Sequence, residues 1–143
     1  MKPIALILAL FAVFQRGYSL EWNESYPDAF TEAKKEKKVL LMCFMGSDWC
    51  PWCKKLDSEV FEDPRFAAEV GDDFVFLLVD FPQDKELPEA IHLQNEQLLS
   101  TYQVIGYPMV ILVHPEKGEI ARLGYLPIGG KNYAEKLKKY ANY

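Results

Sequence analysis

Two segments, Val39–Met45 and Phe74–Asp80, are apolar at every position up to the aspartate that closes the second, and they constrain the fold more than any other feature. A strand with one wet face alternates apolar and polar residues, so one that is apolar throughout must be covered on both faces. Helical spacing surrounds these runs. Tyr26, Phe30 and Ala33 share one face of a helix expected over 26–37, and a second helix is expected from about Cys50 through Leu56 and Val60. Asp63-Pro64 restarts a short helix that runs to Val70, and a longer helical segment spans 89–102. Met109 to Val113 reads as a third strand, and Pro115-Glu116-Lys117-Gly118 turns the chain into an antiparallel partner over 119–125. Tyr133, Leu137 and Tyr140 stripe a closing helix over 133–140. Helical crossovers imply parallel central strands, and the last hairpin adds an antiparallel edge. The expectation is an α/β fold: a mixed central sheet with helices on both faces and an antiparallel C-terminal hairpin.

A chain of 143 residues suffices for one domain with a full core, and 50% hydrophobic with 14% aromatic content excludes a disordered or fibrous class. No repeat, low-complexity tract or interdomain linker interrupts it. A net charge of −5 argues against nucleic acid as a partner, because such binding rests on clustered Lys and Arg. The basic run Lys34-Lys35-Glu36-Lys37-Lys38 falls where the first helix should end, where the helix dipole favours solvated cations.

Residues 1–19 read as a signal peptide and residues 20–143 as the domain. Lys2 supplies the positive start, Pro3 to Phe14 the apolar stretch, and Gly17-Tyr18-Ser19 the small residues of a cleavage site. A membrane anchor needs about 20 apolar residues, and Gln15-Arg16 interrupts this run too early. With no Cys near the cleavage region for acylation and no retrieval signal at the C-terminus, a periplasmic location is expected.

Three cysteines cannot all pair within one chain, so they point to chemistry rather than stapling. Cys43 lies in an apolar run and reads as a small core residue. Cys50 and Cys53 belong to Trp49-Cys50-Pro51-Trp52-Cys53-Lys54, which follows a buried strand and opens a helix. A thiolate there meets the positive end of the helix dipole and the free N–H groups of the first turn. Lowering a cysteine pKa from about 8.5 to about 7 takes roughly 2 kcal/mol, which a partly buried helix terminus can supply. Cys50 is therefore the expected nucleophile and Cys53, one turn deeper, the resolving thiol. Zinc would need two further ligands that the chain does not group, so no metal and no other cofactor is expected. As a staple, the pair would close too small a loop to restrain the unfolded chain. Pro108, in Gly106-Tyr107-Pro108, opens the third strand without a donor for a ladder; a cis Tyr107–Pro108 bond would set Tyr107 beside the Cys50 sulfur and free backbone groups for an extended substrate.

Through Trp49-Cys50-Pro51-Trp52-Cys53-Lys54 and Gly106-Tyr107-Pro108 the sequence resembles the thioredoxin superfamily over nearly all of residues 20–143. The longer string from Phe44 to Lys54 is similar to exported bacterial thioredoxin-like oxidoreductases, including the reducing C-terminal domains of transmembrane thiol:disulfide interchange proteins. The resemblance implies that Cys50 is the nucleophile, Cys53 the resolving thiol and Pro108 the cis-proline. It also implies protein disulfides as substrates and a membrane thiol-disulfide protein as electron donor. Two departures stand out. Cytosolic thioredoxins carry a buried aspartate where counting back from Cys50 places Phe44, so water or another carboxylate must take the proton of the resolving thiol. Pro51-Trp52 has the proline-first form of glutaredoxins and of a periplasmic oxidant, so the motif does not set the direction of electron flow.

The expected function is a monomeric periplasmic reductase of protein disulfides. Trp49, Trp52, Tyr107 and Pro108 are expected to hold substrate, with Pro51 and Lys54 tuning the motif. Dithiol oxidase or disulfide isomerase is the alternative within the fold; from another class, the alternative is a redox-inert peptide-binding module.

Overall fold

The computed structural model describes residues 19–142, so the expected leader lies, apart from Ser19, outside the described residues. Every residue of β2 (Val39–Met45) is buried, because this strand lies mid-sheet between two layers of helices. It pairs in parallel with β3 (Phe74–Asp80), and β3 pairs in parallel with β1, a two-residue edge strand at Trp22–Asn23. On its other side β2 runs antiparallel to β4 (Met109–His114), which runs antiparallel to β5 (Gly118–Leu123). The order is β1-β3-β2-β4-β5. The helices are α1 (Tyr26–Glu36), α2 (Pro51–Leu56), α3 (Pro64–Val70), α4 (Glu89–Thr101) and α5 (Gly129–Ala141), and one π-helical turn over Asp57–Phe61 continues α2.

Alternation along β2 divides the core in two. Leu41, Cys43 and Met45 face a layer that contains Cys53, Leu56, Phe66 and Leu137, whereas Leu40, Met42 and Phe44 face one that contains Ala29, Ala33 and Leu98. Thus α2, α3 and α5 cover one face of the sheet while α1 and α4 cover the other. Truncating a fully buried leucine such as Leu40 or Leu41 to alanine costs about 2–5 kcal/mol.

Local chemistry sets the helix ends. The Ser25 hydroxyl caps α1 by accepting the Asp28 N–H, and the run Lys34-Lys35 lies exposed in its last turn. Asp63 caps α3 by accepting the Arg65 N–H at 2.9 Å, and the same carboxylate accepts the Gly130 N–H at the start of α5 at 3.2 Å. The Arg65 guanidinium and these N–H groups hold the Asp63 carboxyl down at about 2. Only a glycine fits at 130, since a Cβ there would lie 2.6 Å from the Asp63 side chain.

The mixed sheet, the covered faces and the C-terminal hairpin agree with the sequence. Three features differ. β1 is too short to carry a pattern; its Asn23 donates its side-chain amide to the Phe76 carbonyl. The third apolar strand, β4, is antiparallel to its central neighbour rather than parallel. Its connection begins and ends at one end of the sheet, where Phe81, just after β3, stacks on Tyr107, just before β4. The closing helix starts at Gly129, ahead of the expected Tyr133, because Asp63 caps it from outside.

Candidate redox site

The loop from β2 to α2 is fixed from below by the end of β3. Asp80 is 4% exposed and accepts both the Ser47 N–H at 2.9 Å and the Ser47 hydroxyl at 2.5 Å, with Lys85 Nζ at 3.8 Å. The Asp48 carboxylate accepts the N–H groups of Gln83 and Asp84, which hold it below the usual carboxylate range. Trp49 donates its indole N–H to the Phe81 carbonyl at 2.8 Å. Gly46 permits this, since a Cβ there would lie 2.3 Å from the Trp49 ring.

With the loop fixed, the Cys50 N–H bonds the Gly46 carbonyl at 2.9 Å and Cys50 becomes the N-cap of α2, ahead of Pro51. The Cys50 Sγ accepts the Cys53 N–H at 3.2 Å, the interaction that would hold a thiolate at this position. Cys50 and Cys53 form a disulfide with Cα atoms 5.2 Å apart; Cys53 is fully buried and Cys50 nearly so.

Two aromatic groups flank the sulfurs. On one side Trp49 meets Tyr107 edge to face at 5.9 Å, and Tyr107 stacks on Phe81 at 5.4 Å. The Tyr107–Pro108 bond is cis. On the other side Trp52, 56% exposed, stacks on Tyr125 at 5.6 Å with Lys55 Nζ 5.4 Å from its ring, and the Tyr125 hydroxyl donates to Glu59. Lys54 is exposed and donates its N–H to the Cys50 carbonyl.

A family model described as Thioredox_DsbH, protein of unknown function, DUF255, matches residues 13–142. The chain belongs to this thioredoxin-like DsbH family. Disulfide bond reductase DsbH of Chlamydia pneumoniae is 35% identical over 120 residues, which cover 84% of this chain and 72% of that protein. Thioredoxin-related protein DsbJ of the same organism is also 35% identical, over 106 residues, but these are 74% of this chain and only 30% of the relative. The solved structure of a DsbH oxidoreductase superposes with a TM-score of 0.81 at 33% identity, covering 87% of this chain and 85% of the other. The mixed five-stranded sheet is therefore the thioredoxin-like one, and the chain is a thiol-disulfide oxidoreductase of DsbH type with Cys50 and Cys53 as its cysteine pair.

Within this DsbH-type site, the strand before the motif offers no carboxylate to Cys53. Phe44 faces the α1 and α4 layer, so Cys43 and Met45 are the β2 residues on the Cys53 side, and neither is a carboxylate. A carboxylate does lie four residues on, along the helix. Asp57 lies one turn beyond Cys53, donates its backbone N–H to the Cys53 carbonyl, and is half-buried beside Met45 and Ser47 on a cavity of about 520 Å³. Burial first, then the charges of Glu62 and Asp80, push it up to about 6. Sequence reading missed Asp57, Phe81 and Tyr125. Only the i, i+4 spacing from Cys53 to Asp57 was available to find one of them. Among the described residues no group of His, Cys, Asp or Glu is arranged to hold a metal ion.

Proposed function

We propose that this protein reduces disulfide bonds in other proteins in the periplasm, as a monomer exported by a signal peptide over residues 1–19. The observation that carries the reading is the Cys50 sulfur at the start of α2, accepting the Cys53 N–H with Cys53 buried behind it. In the reduced protein the Cys50 thiolate attacks one sulfur of a client disulfide; that S–S bond breaks and its other sulfur leaves as a thiolate. Cys53, deprotonated, then attacks the Cys50 sulfur and displaces the second client sulfur. Two electrons pass to the client and the Cys50–Cys53 disulfide remains. A membrane thiol-disulfide protein recharges it, as the resemblance to C-terminal domains of interchange proteins implies.

In this scheme Trp49, Trp52, Tyr107 and the Tyr107–Pro108 backbone hold an extended client segment beside Cys50, while Pro51 and Lys54 tune the motif. Asp57, pushed up to about 6 by burial, takes the Cys53 proton that thioredoxins give to a strand aspartate. The reductive direction is supported by the 35% identical chlamydial relative, which is named a disulfide bond reductase.

Trapping tests the mechanism: Cys53→Ser should accumulate mixed disulfides with clients, and Cys50→Ser should abolish reduction of an insulin-type substrate. Full function in Cys50→Ser would instead mean a redox-inert peptide binder. Equilibration with glutathione tests direction; a potential near about −120 mV, typical of strong oxidants, overturns the reductase reading.

A further inference from the structure

The aromatic rings around the disulfide lead somewhere. From Trp49 through Tyr107 to Phe81 they run into a cleft of about 700 Å³ between the segment after β3 and the first half of α4. Phe81, Pro82 and Leu87 line it together with Glu86, Glu89 and Glu96. Lys85 and His92 also border it, but Lys85 is drawn to Asp80. The three glutamates are exposed and enter no ion pair among the described residues. The nearest of them reaches the rings: after burial, the charge of Glu96 is what pushes the Tyr107 hydroxyl up.

A surface that combines apolar rings with unpaired carboxylates suits one kind of side chain above others. Lys and Arg lay an aliphatic stem along apolar surface and keep a cationic head free for a carboxylate. An extended chain advances about 3.3 Å per residue, so one that follows these rings from Cys50 would bring side chains a few residues from its cysteine to this cleft.

We propose that the cleft between Phe81 and α4 reads client charge, binding an extended segment of a disulfide-bonded client that carries Lys or Arg near the reacting cysteine. The inference rests on the reductase reading and names its substrate class. Exposed ion pairs are individually weak, so the preference acts through encounter and is strongest at low salt.

The test uses the reduced full protein and synthetic peptides closed by one disulfide, identical except for paired lysines, glutamines or glutamates beside one cysteine. At low salt the lysine peptide should be reduced about fivefold faster than the glutamate peptide, with the glutamine peptide between, and salt should compress the series. Glu86→Gln, Glu89→Gln and Glu96→Gln together should remove the ordering. Equal rates for all three peptides, or an ordering that survives the triple substitution, overturns the inference while leaving the reductase in place. No reduction of any peptide sinks the exchange reading and this inference with it.

Discussion

Trp49 and Trp52 flank the same disulfide but are held in different ways. Trp49 is 38% exposed, hydrogen-bonded to the Phe81 carbonyl, set against Tyr107 and seated over Gly46, in a loop whose other members are bonded to Asp80 and the 83–84 backbone. Trp52 has a stacked Tyr125 beneath it, a lysine above, and more than half its surface in water. One ring is part of the frame that places Cys50. The other is an adaptable contact whose removal disturbs the frame little. On the proposed reading both rings meet the client, but only Trp49 also belongs to the frame that holds the loop before Cys50.

Breaking the frame should have the largest effect. Asp80→Ala removes the buried acceptor of both Ser47 donors, so a loss of about 3 kcal/mol is expected in denaturant unfolding, with slower client reduction. Gly46→Ala drives a methyl into the Trp49 ring and should cost about 2 kcal/mol, accompanied by a change in Trp49 fluorescence. Asp57→Asn probes the helix beyond Cys53 through pH. Because folding raises this carboxyl, its protonated form stabilises the native state; that stabilisation is fully present below the ordinary carboxylate pKa and is lost as pH rises through about 6. The Asn variant should therefore be more stable than the parent by about 1 kcal/mol at neutral pH, after allowance for solvent screening, and the gap should close below about pH 4. Its Cys53 trapping step should also slow at neutral pH. The smallest effect on stability belongs to Trp52→Ala: less than about 0.5 kcal/mol, with client reduction falling a few-fold and small thiols such as glutathione affected less. A large loss of stability in Trp52→Ala, or none in Asp80→Ala, would erase the contrast between the rings.

The strands that carry this arrangement were legible because each is a run of apolar residues with nothing to pair but other strands. β2 and β3 begin and end where the residues indicate. Direction was not legible in β4, because it depends on where the 81–108 connection starts and stops in space. The onset of α5 was hidden for a related reason: Gly129-Gly130 looks like a turn until a carboxylate 67 positions away accepts its N–H. At the site, Cys50, Cys53 and the Tyr107–Pro108 turn are written in local sequence. Phe81, Tyr125 and Asp57 arrive by tertiary folding, and neither an aromatic at a strand end nor an acid in a helix stands out on its own. That Phe44 faces the layer away from Cys53 was hidden too, since counting along a chain ignores which face of a strand a residue occupies, and each step reverses it.

Cys43 shares a core layer with the redox pair, yet no part of its surface is open to solvent, and burial pushes its thiol well up. In an oxidising compartment the odd sulfur is thereby quarantined, since a neutral thiol sealed under a sheet neither scrambles with its neighbours nor joins two molecules together. The quarantine lasts only while the sheet does. A maleimide mass tag applied to the reduced protein would accordingly reach Cys50 first and gain the two fully buried thiols, Cys53 and Cys43, only as the molecule opens, so the hidden cysteine serves as a clock for unfolding.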